Sequence, residues 1–273
     1  ISDQQSGKQR DGGDIRSLFE GYFSFCRENS IQNNLTSERG GRPLAFFASN
    51  EPFWEMYDDL SKRTGGVLIG PCWGGQIESF MVNMRASAVL IIDCNPFVAW
   101  IRMPIFGAFT ILAKNRVEFI SMLSGRPVSE QACSELDRLS GLVEIRDYFR
   151  TIEFDFAYYK HSGELVLEVF PDDLKKIAWE YWMDIGTLMI AAESHLFNKY
   201  LDNVGEQSNS GRQGWLANPG NFTYAREMWS KGNIKGVDRH WDYPEVKKIS
   251  TYHGKASIVY ISNMLFDHFI TDR

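Results

Sequence analysis

With 273 residues, 44% of them hydrophobic and 14% aromatic, the chain has the apolar content of one large domain, or of one domain with a substantial insertion, and not of a disordered segment. Its formal net charge of −6 argues against a nucleic-acid partner, which calls for a basic face, and the only modest basic runs are Lys8-Gln9-Arg10 and Lys175-Lys176. Four scattered cysteines (Cys26, Cys72, Cys94, Cys133) with no C-x-x-C argue against structural zinc and a disulfide framework, and no apolar run reaches the length of a membrane span.

Residues 1–17 are polar and glycine-rich and read as a lead-in. Leu18 to Arg27 has the spacing of an amphipathic helix, and Ile31 to Arg42 the composition of a polar loop. Asn50 suits an N-cap and Pro52 a first helical turn, which predicts a helix over Phe53 to Lys62, up to Gly65-Gly66. An apolar strand (Val67-Leu68-Ile69) then enters a glycine-rich turn (Gly70, Gly74, Gly75). A helix from Gln76 follows, and a second apolar strand, Ala88 to Ile92, ends on Asp93. After Asn95-Pro96, helical spacing runs over Phe97 to Phe109 and again over Leu112 to Leu123, closing at Ser124-Gly125-Arg126-Pro127. Residues 128–150 read as helical and polar. Ile152 to Phe156 alternates, Lys160 to Gly163 can turn, and Leu165 to Val169 returns, which predicts a β-hairpin or a pair of short strands. Pro171-Asp172-Asp173 opens a long helix to about Leu201. Gly205 to Gly214 is the segment whose composition reads as flexible. A helix over Asn221 to Lys231 leads to a strand, Ile234 to Val237, ending on Asp238. A helix over Pro244 to Tyr252 leads to a last strand, Ser257 to Ile261, ending on Ser262-Asn263.

This order, βαβ, a long helical interruption, then αβαβ, predicts an α/β doubly wound sheet. Its parts are an N-terminal helical segment (1–64), a core divided between 65–127 and 215–273, and a mainly helical insertion (128–214). Ligands of such sheets lie across the carboxyl ends of the strands, which here are Gly70, Asp93, Asp238 and Ser262-Asn263. The β-turn-α-β unit from Gly65 to Pro96 is a nucleoside-binding pattern, in which glycines admit the ligand and the acid accepts hydrogen bonds from ribose hydroxyls. Its glycines follow G-x-x-x-G-G and not the G-x-G-x-x-G of dinucleotide enzymes, so a nucleoside without a phosphate, such as S-adenosylmethionine, fits better. Cys72 and Cys94 fall at the ends of adjacent strands as small pocket-lining residues, with a disulfide between them as a second reading.

These residues resemble class I S-adenosylmethionine-dependent methyltransferases. Val67 to Gly75 matches their first motif, Ile91-Ile92-Asp93 the acid after their second strand, and Asp238 and Ser262-Asn263 the ends of their third and fourth strands. A closer likeness is to a group of bacterial methyltransferase-like proteins, through the helical run before Arg116-Val117-Glu118-Phe119-Ile120-Ser121, Gly125-Arg126-Pro127 and Val259-Tyr260-Ile261-Ser262-Asn263. A weaker likeness is to enzymes that transfer the 3-amino-3-carboxypropyl arm of the same cofactor, which also follow the acid with Asn-Pro and a helix. The family places a small residue and Gly where this chain has Cys72-Trp73, so Trp73 would crowd the cofactor or stack on it. The chain also ends soon after its fourth strand, where the family adds a closing antiparallel hairpin.

The resemblance implies a Rossmann-like methyltransferase sheet that binds S-adenosylmethionine through Gly70, Cys72, Trp73, Gly74, Gly75, Asp93, Asn95, Asp238, Ser262, Asn263 and Glu51. Asp93 would hold the ribose, against the alternative of a surface acid capping a strand. Asp238 would approach the adenine edge or the ribose, or stand as a solvated acid. Asn263 would hold the methionine end or the acceptor, or cap a helix, and Glu51, next to Asn50, would hold the ammonium or serve as a first-turn acid. Trp73, Tyr224 and Trp229 are candidate walls against the sulfonium, or core rings. Asn263, Glu51 and His240 are the catalytic candidates, with His161 as a further possible base.

The expected function is group transfer to a small-molecule acceptor, methyl transfer by default. The close alternative is transfer or cyclisation of the aminocarboxypropyl arm with release of methylthioadenosine. A second class is a non-catalytic binding protein with Trp73 in the cofactor site, and a third a nicotinamide enzyme, which the glycine spacing disfavours. Neither nucleic acid nor membrane is an expected partner, a homodimer is left open, and no metal is expected. The expected compartment is the cytoplasm. Because the chain opens on Ile1, a removed upstream segment, a signal peptide included, stays open. The sequons Asn34-Leu35-Thr36 and Asn221-Phe222-Thr223 carry almost no weight.

Overall fold

The computed structural model describes residues 15–30, 56–62, 64–72, 75–93, 95–191, 195–205, 207–238 and 256–259, with backbone alone for 188–191, 195–196, 199 and 256–259. Among the described residues, four short strands form one parallel sheet: β1 (Val67–Gly70), β2 (Ala88–Asp93), β3 (Ile234–Asp238) and β4 (Ala256–Val259), in the order β3-β2-β1-β4. The chain is therefore α/β, mostly helical around a small parallel sheet. The strands read as near-continuous apolar runs because a parallel sheet is buried on both faces. Leu68, Val89, Ile91 and Ile234 join one large cluster with the helices, while Val67, Ile69, Leu90, Ile92 and Val237 form a smaller cluster on the other face, met by Phe25.

Register positions the strand tips. Gly70 pairs with Ile91, and Asp93 pairs with Asp238, so β2 and β3 reach two residues beyond the end of β1. Helix α1 (Ile15–Asn29) runs beside β3: Tyr22 Oη donates to the Ala99 carbonyl at 2.8 Å, and Lys235 Nζ to the Gly21 carbonyl at 3.4 Å. Of the helix expected over Phe53 to Lys62, the described part is α2 (Tyr57–Ser61). Helix α3 (Gln76–Met84) links β1 to β2. A π-helical turn, Val98–Arg102, leads from the end of β2 into α4 (Met103–Leu112), followed by α5 (Arg116–Ser124). Gly125, at φ +66°, closes α5 in the left-handed region.

Between residues 128 and 214 lie α6 (Glu130–Asp137), α7 (Val143–Arg150), α8 (Phe156–Leu167), α9 (Asp172–Ala191) and α10 (His195–Gly205). Their buried side chains, among them Ile145, Tyr159, Trp182 and Phe197, belong to the same core cluster as Leu68 and Ile91. Helix α11 (Pro219–Ser230), capped by Asn218, then delivers β3. The last helix expected from sequence, Pro244 to Tyr252, lies outside the described residues.

Two expectations are corrected. The hairpin predicted over Ile152 to Val169 is helix α8. Its first turn is fixed by Asp155, whose side chain accepts from the Tyr158 N–H at 3.0 Å. Gly163, read as a turn residue, is instead a socket. The Tyr159 and Trp182 rings stack with centroids 4.1 Å apart, Tyr159 Oη donates to the Trp182 carbonyl at 2.6 Å, and Trp182 Nε1 to the Tyr159 carbonyl at 3.2 Å. A Cβ at Gly163 would stand 2.3 Å from Trp182, and one at Gly186 would stand 2.4 Å from Tyr159. The long helix expected from Pro171 to about Leu201 is described as α9 and α10, and residues 192–194 between them lie outside the described residues. Second, the polar segment read as flexible is docked. Gln207 bridges Gln213, Ser208 and Ser210 donate to the Asp58 carboxylate, and Asn83 Nδ2 donates to the Gln213 carbonyl at 3.0 Å.

Arg116 ties this assembly to the sheet side. Its Nε reaches Asp137 Oδ1 at 3.2 Å, Nη1 donates to the Gly141 and Leu216 carbonyls at 3.1 and 2.8 Å, and Nη2 donates to the Asp137 and Leu139 carbonyls. Every nitrogen of this fully buried guanidinium has an acceptor.

Candidate functional site

The carboxyl ends of β1, β2 and β3 gather a buried polar cluster. Asp93 ends β2 with its side chain fully buried, and its Oδ1 accepts the Asn95 N–H at 2.9 Å. Asn95 in turn holds the start of the next helix, its Oδ1 accepting the Phe97 N–H at 3.0 Å. Asp93 Oδ2 has no hydrogen-bond partner. Burial raises the Asp93 pKa to about 7, the Asn95 N–H and the Arg102 charge offset this in part, and Asp238 opposes them. Asp238 is level with Asp93 on β3 and also buried, and its own N–H donates to Ser30 Oγ at 3.0 Å. Beside it, burial pushes the Cys26 thiol up to about 12.

After Gly70, the chain passes Pro71 and Cys72. Cys72 is a buried free thiol with its sulfur 3.8 Å from Glu78 Oε2. Burial first, and then the Glu78 charge, pushes its pKa well above the ordinary thiol value, which favours the neutral thiol. Glu78, in the first turn of α3, is buried, and burial raises its pKa against the opposing Arg102 charge. Arg102 ends the π-helical turn and points back to this loop: Nη1 donates to the Cys72 carbonyl at 2.6 Å, and the guanidinium lies 5.0 Å from the Phe106 ring centroid. Its Nε and Nη2 have no partner, although the residue is 1% exposed.

The structure thus brings Gly70, Cys72, Asp93, Asn95 and Asp238 together. Gly75 caps α3 at φ +78°, but the space a side chain or ligand would take there is filled: a Cβ would stand 2.5 Å from Val204 Cγ1 and 2.9 Å from Trp215 Nε1. It serves the packing of α10 and Trp215 against the turn and not an opening for a ligand. Tyr224 donates to the Ala86 carbonyl at 2.6 Å, ahead of the first residue of β2 and so at the opposite end of the sheet. Trp229 lies in the core against Phe19 and Gly107. Neither ring therefore faces the strand tips. His161 is on the exposed surface of α8, 3.9 Å from Glu164, and is placed away from the cluster. Glu51, Trp73, Gly74, His240, Ser262 and Asn263 lie outside the described residues, as do Asn50 and Cys94.

Sequence reading missed Arg102 and Glu78. The available signal was a lone charge in each of two apolar runs, Phe97 to Phe109 and Gln76 to Met84, since a charge on an apolar face is buried only for a reason. Chemically, the cluster offers a carboxylate oxygen as acceptor and two guanidinium donors. Among the described residues, no group of three His, Cys, Asp or Glu side chains is arranged to hold a metal ion, and no helix is long and apolar enough to cross a membrane. Neither the protein-family models nor the curated proteins compared with this chain match it.

Proposed function

We propose that the chain is an S-adenosylmethionine-dependent transferase on a doubly wound, Rossmann-like sheet, with a small-molecule acceptor and methyl transfer as the default chemistry. The observation that carries this reading is Asp93, a fully buried carboxylate at the tip of β2 with one oxygen lacking a partner. A ribose brings two adjacent hydroxyl donors, which suit the two oxygens of such a carboxylate. The parallel order β3-β2-β1-β4 supports the reading, because the loop after β1 lies beside Asp93 at the centre of the sheet.

When bound, S-adenosylmethionine supplies a sulfonium that is already an activated leaving group. The protein's task is then alignment and exclusion of water. Asp93 would fix the nucleoside, with Asn95 holding the carboxylate in place. Asp238 would stand at the next strand tip, and Cys72 would be a small, uncharged wall. The aminocarboxypropyl alternative uses the same residues and differs in its product, methylthioadenosine in place of S-adenosylhomocysteine. A non-catalytic binding protein is the second reading, favoured by the packing of Val204 and Trp215 into the space at Gly75.

Thermal unfolding with S-adenosylmethionine, S-adenosylhomocysteine, methylthioadenosine and NAD tests the reading. A ligand at about one hundred times its Kd adds roughly 2.7 kcal/mol, a midpoint shift of a few degrees. An adenosyl sulfur compound is expected to give this shift, and Asp93→Ala to abolish it. Unchanged midpoints with all four compounds would overturn the enzyme reading.

A further inference from the structure

The turn that closes α5, Gly125-Arg126-Pro127, is not among the residues of the strand-tip cluster, yet it holds its arginine in a fixed place. Gly125 is left-handed at φ +66°, and a Cβ there would stand 2.6 Å from Phe154 and 2.9 Å from Tyr159. The Arg126 N–H donates to the Ser121 carbonyl at 3.2 Å, and Ser121 Oγ donates to the Arg126 carbonyl at 2.7 Å. Pro127 restricts the backbone on the other side. The Arg126 side chain is half-buried, with its guanidinium 5.7 Å from the Phe197 ring centroid. It makes no hydrogen bond and no ion pair to a described residue, and its Nε is enclosed. The other arginines withdrawn from solvent all donate: Arg102 to the Cys72 carbonyl, Arg116 to carbonyls and Asp137, Arg146 to Asp202, and Arg226 to the Ala113 and Lys114 carbonyls. Burial alone acts on the Arg126 pKa, lowering it, whereas at Arg116 the Asp137 charge opposes burial.

Exposed aromatic surface lies beside this turn. The Asp155 N–H donates to the Gly125 carbonyl at 2.8 Å, so Phe154 and Phe156 flank the point where the start of α8 meets the turn. Phe156 is 50% exposed and Pro127 is exposed as well. An arginine with unmet donors next to exposed rings has the composition of an interface centre. We infer that the turn after α5 and the start of α8 form a docking surface for a partner protein, which presents a carboxylate to Arg126 and an adjoining apolar side chain to Phe156. Charge complementarity selects the carboxylate. A phosphate dianion calls for further donors, but Pro127 has no N–H and that of Arg126 is taken by Ser121. A free carboxylate would gain one charged contact and no ring, which is little against the cost of holding it. The exposed acids Glu153 and Asp155, on either side of Phe154, disfavour a strongly acidic partner, so a lone carboxylate among neutral residues is expected. The surface is independent of the nucleoside reading of Asp93.

Selection from a random peptide display library on the unmodified chain tests this, with binding of the enriched peptides measured by fluorescence anisotropy. The enriched sequences are expected to share one Asp or Glu beside an apolar residue. Replacing that acid by its amide in the peptide, or Arg126→Gln in the chain, is expected to weaken binding about ten- to a hundredfold, the range of a charge-assisted hydrogen bond. Arg126→Lys should recover part of the loss, and Phe156→Ser should weaken binding about tenfold. The peptide-side replacement needs no variant of the chain to fold, and the unfolding midpoints of the three chain variants check that they do. Enriched peptides without an acid would overturn the inference, as would peptides whose binding survives Arg126→Gln, or a library that yields no binder. If sedimentation shows the unmodified chain pairing with itself and Arg126→Gln separating the copies, the occupant is a second copy of this chain and the assignment to another protein falls.

Discussion

Two arginines at two places in the same core set the stabilising part of the molecule against the part with chemistry left in it. Arg116 joins α5 to the turn after α6 and to Leu216, and each nitrogen has an oxygen to donate to. Arg102 is buried as deeply, at the end of the π-helical turn that follows β2, yet two of its nitrogens have none. Both carry a charge that water would stabilise, so the desolvation cost is similar. What differs is the compensation: the folded chain supplies it in full at Arg116, and at Arg102 only through the Cys72 carbonyl and the Phe106 ring. The same contrast separates Asp137, whose carboxylate meets Arg116, from Asp93, one of whose oxygens has no partner.

Replacing the first arginine should break the fold and replacing the second should not. Arg116→Met removes the donor from four carbonyls and one carboxylate, and is expected to lower the unfolding free energy by about 3–5 kcal/mol, as chemical denaturation would measure. Asp93 gives the next largest effect through pH. Its folded pKa of about 7 lies above the ordinary carboxyl value, so between roughly pH 4 and 7 the folded chain binds more protons than the unfolded one. Stability is therefore expected to fall as pH rises through that window, by up to about 4 kcal/mol from this group alone. Asp93→Asn should flatten the slope, gaining on the unmodified chain at pH 8 and matching it near pH 4. Denaturation series at the two pH values would check it, and a slope that survives in the variant would assign the effect elsewhere. Ribose donors favour the charged form, so nucleoside binding near pH 6 should release up to about one proton, visible as a buffer dependence of the binding heat.

Gly163→Ala probes packing alone. A methyl group there meets Trp182 at 2.3 Å, and a loss of about 1–3 kcal/mol is expected from overpacking, with no change in ligand preference. Arg102→Met should have the smallest effect on folding, within about 1.5 kcal/mol at pH 6, because one bond to the Cys72 carbonyl is lost while two orphan donors disappear. A loss as large as that at Arg116 would erase the distinction between the two arginines.

The sheet was legible because its signal is local. Val67 to Gly70, Ala88 to Asp93 and Ile234 to Asp238 are short apolar runs with glycine or acid at the tip, and those tips form the cluster. Helix ends were legible for the same reason, as at Gly125, which holds the left-handed conformation that its position after Ser124 suggests. Where the deciding contact is distant, the sequence misleads. Gly163 reads as a turn until Trp182 covers it. The segment from Gly205 to Gly214 has the composition of a linker, but its serines find Asp58, some 150 positions earlier in the chain. Arg102 and Glu78 look like interruptions of apolar helices, and only the return of the chain to Cys72 makes them neighbours.

The stacked rings of Tyr159 and Trp182, each seated on a glycine of the opposite helix, also constrain how this chain can drift. Neither ring can shrink without leaving a void over its glycine, and neither glycine can acquire a side chain without evicting its ring. The four positions therefore behave as two coupled words and not as four independent letters. In diverged copies of this chain, Gly163 should vary only together with Trp182, and Gly186 only together with Tyr159.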